Sequence, residues 1–240
     1  MNKVDLLFIV DVTGSMGGFI SQAQQKMQSM LESLTSQFGI DLLVGLSLYR
    51  DHPPQDSSFV TVVLDLMSVD KVKSQISKIG VDGGGDTPEA VIDGIIDGVN
   101  GMSWRDGSKR IAFLIGDAPA HGMVCNESCC QCGSTWGHAV TAAEDHRVSV
   151  YSILLSNDNE ARDNFKLISN FTGGFLVEGK DAMDAILDTL KSEFDDINLD
   201  SKILEMLSGG KDEKAICDML KIDREQLSES RSRIAQFAVY

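Results

Sequence analysis

The sequence predicts an α/β fold: a doubly wound, mostly parallel six-stranded sheet followed by a small all-α module. Three observations carry this expectation. Apolar runs without alternation, at 6–10 and 111–115, suit strands buried on both faces of a parallel sheet. Such runs alternate with segments of helical periodicity, as they do when helices wrap both faces of a sheet. Beyond Asp195 the strands stop and three short helical segments follow.

Each element has its own signature. The first strand, 6–10, ends in Asp-Val-Thr-Gly-Ser-Met. Ile20, Ala23, Met27, Met30, Leu31, Leu34 and Phe38 then recur at helical spacing, and Gly39 is placed to stop that helix. Strands are expected at 40–49 and 59–66. The loop between them holds Asp51, Pro53, Pro54 and Asp56 and is too short for a crossover helix, so these strands should be antiparallel neighbours. A short helix is expected at 69–79. The sequence Gly83-Gly84-Gly85-Asp86-Thr87-Pro88 follows, with Pro88 suited to the first turn of a helix over 89–99. The strand at 111–115 ends at Gly116-Asp117, and a Cys/Gly/His-rich insertion covers 119–137. Helix 139–145, strand 148–155, helix 161–171, strand 175–177 and helix 182–194 complete the first domain, expected over 1–197. The segments 203–207, 213–220 and 226–237 read as three helices of a module over 198–240, with the boundary near Asn198.

The 240 residues are 42% hydrophobic and 24% charged, which is ordinary for a globular protein. No apolar run approaches the roughly 18 residues that span a bilayer. The N-terminal stretch contains Asp5 and Asp11 and does not read as a signal peptide, so a soluble, cytoplasmic protein is expected, without membrane contact. Thirty-six acidic residues against 21 basic ones give a net charge of -15, which argues against non-specific affinity for nucleic acid or anionic lipid. The same balance is compatible with a cation site, with basic partners or simply with solubility.

Open α/β sheets bind ligands at the carboxyl ends of their strands. Three segments bring oxygen-bearing residues to that edge: Asp11, Thr13 and Ser15 after the first strand, Thr87 after the glycines, and Asp117 at the end of the fourth strand. Asp11 alone could be a helix N-cap, and Asp117 alone a turn residue. Together, carboxylates and hydroxyls without sulfur or imidazole suit a hard cation such as Mg²⁺, with Mn²⁺ or Ca²⁺ as alternatives. Hydroxyls add ligands without adding charge, so the ion can still attract an acidic group from outside.

These residues resemble the von Willebrand factor A family. Asp11-Val12-Thr13-Gly14-Ser15 is similar to its D-x-[S/T]-x-S signature, the glycine loop to the one presenting its metal-binding threonine, here Thr87, and Asp117 to its distal aspartate. The resemblance covers roughly residues 3–195. It implies a metal-ion-dependent adhesion site. In that site Ser15, Thr13 and Thr87 contact the metal directly or nearly so, and Asp11 and Asp117 bind directly or through water. It also implies strand order 3-2-1-4-5-6 with one antiparallel edge strand. The sequences Gly-Asp-Thr-Pro-Glu and Gly-Asp-Ala-Pro-Ala-His most resemble intracellular members, including those attached to atypical α-kinases. No kinase segment is present in these residues, so no kinase activity is carried over.

Two further clusters stand out. His121, Cys125, Cys129, Cys130, Cys132 and His138 should flank the metal edge, and C-x₃-C and C-x₂-C spacing can wrap a loop around tetrahedral Zn²⁺. Free thiols in a reducing cytosol and a disulfide within the loop are the alternatives. The tail resembles a bacterial helix-turn-helix, with Gln226, Ser230, Arg231 and Arg233 on or beside its recognition face. Residues 200–240 hold eight acids and seven bases, a poor footprint for phosphate, so a protein contact is favoured over DNA.

The expected function is metal-dependent protein–protein interaction: a partner's exposed Asp or Glu completes the ion's shell, within a multi-component intracellular assembly. A DNA-associated regulator that reads through its tail is the alternative. An enzyme, such as a metal hydrolase, is not expected. The edge holds no evident nucleophile–base pair, His52 and His121 read as incidental, and the glycine loop lacks the Lys-Ser/Thr of a P-loop.

Overall fold

The computed structural model describes residues 3–84, 87–123, 132–177 and 181–238, with side chains to residue 235. Strand β1 (Lys3–Asp11) leads through a 3-10 turn (Gly14–Met16) into α1 (Gly17–Phe38). Next come β2 (Asp41–Tyr49), β3 (Thr61–Ser68), α2 (Val69–Ile76), α3 (Val91–Gly101) and β4 (Lys109–Gly116). Then follow α4 (Trp136–Asp145), β5 (Val148–Leu154), α5 (Asn159–Phe171), β6 (Leu176–Val177), α6 (Ala182–Ser208), α7 (Glu213–Leu220) and α8 (Arg224–Ala238). The six strands form one sheet in the order β3-β2-β1-β4-β5-β6. Among the described residues, only the β2–β3 pair is antiparallel, at the edge where the short connection required it.

β1 is the axis of this sheet, and its side chains show why it needed an unbroken apolar run. Val4, Leu6, Phe8 and Val10 point into a core shared with α1, α2 and α6, while Leu7 and Ile9 point into a second core shared with α3, α4 and α5. From Leu6 to Ile9 every residue is fully buried. Phe8 stacks on Phe113 of β4, ring centroids 5.8 Å apart. One charge is tolerated near the amino end of the strand: Asp5, also fully buried, receives the Arg105 backbone N–H (2.7 Å), Arg105 Nε (2.6 Å) and Ser108 Oγ (2.8 Å).

Helix ends are set by ordinary local rules. Gly39 takes a left-handed conformation (φ 64°) and its N–H caps α1 by donating to the Thr35 carbonyl. On the other face α3 lies unusually close to β2, because Gly94 and Gly98 face it. A Cβ on Gly94 would sit 2.7 Å from Tyr49 Cδ1, and one on Gly98 would sit 2.7 Å from Ser47 Cβ. Ser47 Oγ donates to the Gly94 carbonyl at 2.7 Å and locks this approach.

Two local expectations are corrected. Pro88 does not open a helix: it follows a cis Thr87–Pro88 peptide, and α3 begins only at Val91. Between them Glu89 forms an isolated parallel bridge with Ala120, which occupies the backbone that a first helical turn would have used. Secondly, the segments read as separate helices at 182–194 and 203–207 are one helix, α6, and position 198 lies inside it. No Gly or Pro interrupts residues 182–208, so nothing in the chain breaks the helix where its packing partner changes. Its first part, from Ala182 to Ile197, packs on the sheet core; Ile203 then enters a small separate cluster with Ile216, Leu227 and Ile234.

The β1 packing gives a direct test. Phe8→Ala should cost about 3–5 kcal/mol, measured by urea denaturation, because it empties a fully buried site between two strands and a helix layer.

Candidate metal centre

The first strand delivers Asp11 to the carboxyl edge with no exposed surface. The loop then turns tightly around this carboxylate. The Thr13 backbone N–H and hydroxyl both donate to Asp11 Oδ1, at 2.8 and 2.6 Å. Thr13 Oγ1 lies 3.4 Å from Ser15 Oγ, so the two hydroxyls sit side by side. Asp11 therefore caps no helix; it organises the loop that follows it, and neither the 3-10 turn nor α1 has a side-chain N-cap bond.

The glycine loop is held against this turn by backbone bonds. Gly14 N–H donates to the Gly83 carbonyl (3.3 Å), and Asp82 N–H donates to the Val12 carbonyl (3.2 Å). Gly84 has a left-handed φ of 81°, and a Cβ there would come within 3.2 Å of Thr13 Cβ and 3.5 Å of Glu89 Oε1. A side chain at this position would fill the approach to the hydroxyls.

Thr13, Ser15, Thr87, Glu89 and Asp117 line one open depression at this edge, and Asp11 lies buried beside it through Thr13. The structure thus gathers all five sequence-predicted residues at one place. Glu89 is an addition. It is 97% removed from solvent, and its signal was its position two residues after Thr87 in Thr-Pro-Glu. Its backbone stitches two loops together, since its N–H donates to the Pro119 carbonyl (2.9 Å) and its carbonyl accepts the His121 N–H (3.0 Å).

The donor chemistry fits a hard divalent cation. Asp11 Oδ2 is buried and has no hydrogen-bond partner, while Oδ1 is saturated by Thr13. An orphaned buried carboxylate oxygen is costly, and a bound cation is the ordinary way to satisfy one. Burial pushes the Asp11 carboxyl up from 3.8 to about 6, against the lowering effect of the Thr13 hydrogen bonds; the Asp117 charge raises it further and Arg50 lowers it. Tyr49 behind the site is pushed well above its ordinary value, first by burial and then by Asp11, Glu89 and Asp117. It stays a neutral donor, its hydroxyl 3.4 Å from the Ile115 carbonyl.

Among the described residues, none of the other sequence candidates lines this depression. Cys125, Cys129 and Cys130 lie outside the described residues. Cys132 is exposed and its Sγ lies 2.9 Å from Asp93 Oδ1. His121 Nε2 is 2.9 Å from Asp51 Oδ1. His138 closes a capping box at the start of α4, accepting the Thr135 N–H on Nδ1 at 3.3 Å. In the tail, Gln226 exchanges bonds with Asp223 at the start of α8, and Ser230 is fully buried. Arg231 pairs with Glu213, while Arg233 makes a fork to Asp200 at 2.9 and 2.7 Å and also reaches Asp196. Two of these four side chains therefore face inward or are held by α6 and do not present a reading face.

Residues 5–181 match the von Willebrand factor A domain, and the chain belongs to that family. An α-protein kinase of Dictyostelium discoideum, vwkA, is 37% identical over 120 residues, which is 50% of this chain but only 19% of the kinase. Among solved structures, the pilus adhesin SpaC of Lactobacillus rhamnosus GG in its open conformation is similar over 83% of this chain and 30% of its own, at 16% identity and a TM-score of 0.53. Proximal thread matrix protein 1 of the mussel byssus, solved with zinc occupying its metal-ion-dependent adhesion site, is similar over 80% of this chain and 45% of its own, at 14% identity and a TM-score of 0.52. At these identities the likeness is one of fold.

Without metal, the raised Asp11 makes folding pH-dependent. Below about pH 4 this carboxyl is neutral in both folded and unfolded chains, and its contribution to stability is fully present. That contribution is lost as pH rises through about 6, where the folded chain must ionise a buried group. Urea melts in EDTA should show this loss in the wild type and not in Asp11→Asn, and Mg²⁺ at neutral pH should reverse it. Identical pH slopes in the two proteins would remove the electrostatic reading.

Proposed function

We propose that this chain is a metal-dependent protein-binding module, in which a divalent cation accepts an acidic side chain from a partner. The observation that carries the reading is the orphaned, buried Oδ2 of Asp11 beside an open depression lined by three hydroxyls and Asp117. Asp11, Thr13, Ser15, Thr87 and Asp117 would hold the ion, with Mg²⁺ favoured by an all-oxygen set and Mn²⁺ or Ca²⁺ as alternatives. When bound, it supplies a Lewis-acidic coordination position for an incoming carboxylate. The chain's own residues do the rest: Thr13 fixes the Asp11 carboxylate, the Gly84 backbone keeps the entrance clear, and the apolar layers keep water from Asp11.

A groove adjoining the depression supports the same reading. It runs from Ser15 and Asp117 past Phe19, Gln22, Leu155 and Arg162, a mixed apolar and polar surface suited to the residues flanking a partner's acidic side chain. We read the module as a binding protein rather than an enzyme, and its setting as the cytoplasm within a multi-component assembly; the likeness to the Dictyostelium kinase supports that setting. Residues from about 198 onward are read as a helical appendage that contacts protein. The inward placement of Ser230 and Arg233 argues against a DNA-reading face.

Two measurements test this function. With Mn²⁺ as the ion, acetate or a glutamate-bearing peptide should displace a coordinated water and lower the water-proton relaxation enhancement. A partner retained by the immobilised chain in Mg²⁺ should be released by EDTA and not retained by Asp11→Ala. Retention that survives both treatments would rule out a metal bridge.

A further inference from the structure

Beside the adhesion site, and using none of its five residues, a second group of ligating side chains converges from separate parts of the chain. Asp51 and His52 follow β2, Asp93 sits in the first turn of α3, and His121 and Cys132 lie on either side of residues 124–131. These side chains form two overlapping triads, Asp51–His52–His121 and His52–Asp93–Cys132, and within each triad the ligand atoms lie within 4.8 Å of one another. His52 Nε2 is 3.5 Å from Asp93 Oδ2, and Cys132 Sγ is 2.9 Å from Asp93 Oδ1. His52 Nδ1 is 3.8 Å from Asp51 Oδ1.

We propose that this cluster is a zinc site in which His52 Nε2, Asp93 and Cys132 are the ligands and Asp51 is a positioning residue behind His52. One imidazole cannot give both nitrogens to one ion, so the triads must divide into an inner and an outer set. Asp51 is fully buried, and its Oδ1 already accepts the His52 backbone N–H (2.7 Å) and faces His121 Nε2 (2.9 Å). It occupies the place of the carboxylate that orients a metal-bound histidine through the ring's other nitrogen. Its Oδ1 lies 3.8 Å from His52 Nδ1, so the buried carboxylate stands against the ring nitrogen that does not ligate.

Asp93 and Cys132 lie toward solvent, where an ion arrives, and burial grades from His52 (6% exposed) out to the exposed thiol. A nitrogen, an oxygen and a sulfur donor together exclude Mg²⁺ and Ca²⁺ and suit Zn²⁺, with a fourth coordination position left open. His138, engaged in the α4 cap, is not among these ligands. Bound zinc would fasten the C-terminal end of the Cys-rich insertion to α3, one backbone bond from Glu89 at the rim of the adhesion site.

Co²⁺ titration of the full chain tests the proposal in an Asp11→Ala background, which removes the all-oxygen site as a competitor. One equivalent should bind with a thiolate-to-cobalt charge-transfer band, and Zn²⁺ should displace it. Cys132→Ser should abolish the band. Asp51→Asn should weaken binding by about 10–100-fold, and His52→Gln and Asp93→Asn by at least as much. Circular dichroism and thermal melts of each variant report folding. Should His52→Gln fail to fold, Asp93→Asn and Cys132→Ser, at less buried positions, decide the matter. Absence of the band, its survival in Cys132→Ser, or unchanged affinity in Asp93→Asn would overturn the assignment.

Discussion

The Asp11 carboxylate is fully buried at the carboxyl end of β1, and the packing of the whole sheet puts it there. β1 pairs with β2 on one side and β4 on the other, and both of its faces carry apolar side chains into separate cores. A charge at the end of such a strand has no water to turn to. One oxygen is satisfied by Thr13 and the other is left orphaned. Apolar burial that stabilises the fold thus creates an electrostatic demand at one point, which a proton meets at low pH and a divalent cation would meet at neutral pH.

That demand shapes the surroundings. The glycine loop is fastened to the Asp11 loop by backbone bonds, so it approaches without placing a side chain over the hydroxyls. Glu89 bridges to the segment after β4, which links the depression to the start of the Cys-rich insertion. On the far side of the molecule, α6 leaves the sheet core and continues into a small apolar cluster with α7 and α8, tied by the Arg233–Asp200 fork. The tail is joined to the sheet domain by one continuous helix, with no linker between them.

Much of this could be read from residue order. The run 6–10 and the short connection between the strands expected at 40–49 and 59–66 specified the centre and the antiparallel edge of the sheet, because strand burial and loop length are local properties. Asp11, Thr13, Ser15, Thr87 and Asp117 were visible because their residue types and strand-end positions coincide. What escaped depends on tertiary contacts. A helix was expected to stop at 194 and another to begin at 203, with the boundary near Asn198; the carboxylates of Asp196 and Asp200 between them are compensated by Arg233, more than thirty residues away. Pro88 looked like a helix start until the Glu89 bridge claimed that backbone. Asp51, His52 and Asp93 gave no motif at all, since only the close approach of α3 to β2 through Gly94 and Gly98 brings them together.

The central claim is that a buried Asp11 carboxylate binds a divalent cation at this edge. Calorimetric titration of the full chain with Mg²⁺, beside Asp11→Asn and with folding checked by circular dichroism, measures it most directly. We expect one Mg²⁺ to bind the wild type and a loss of at least about tenfold in affinity, roughly 1.4 kcal/mol, in Asp11→Asn. Equal Mg²⁺ affinity in a correctly folded Asp11→Asn protein would contradict it.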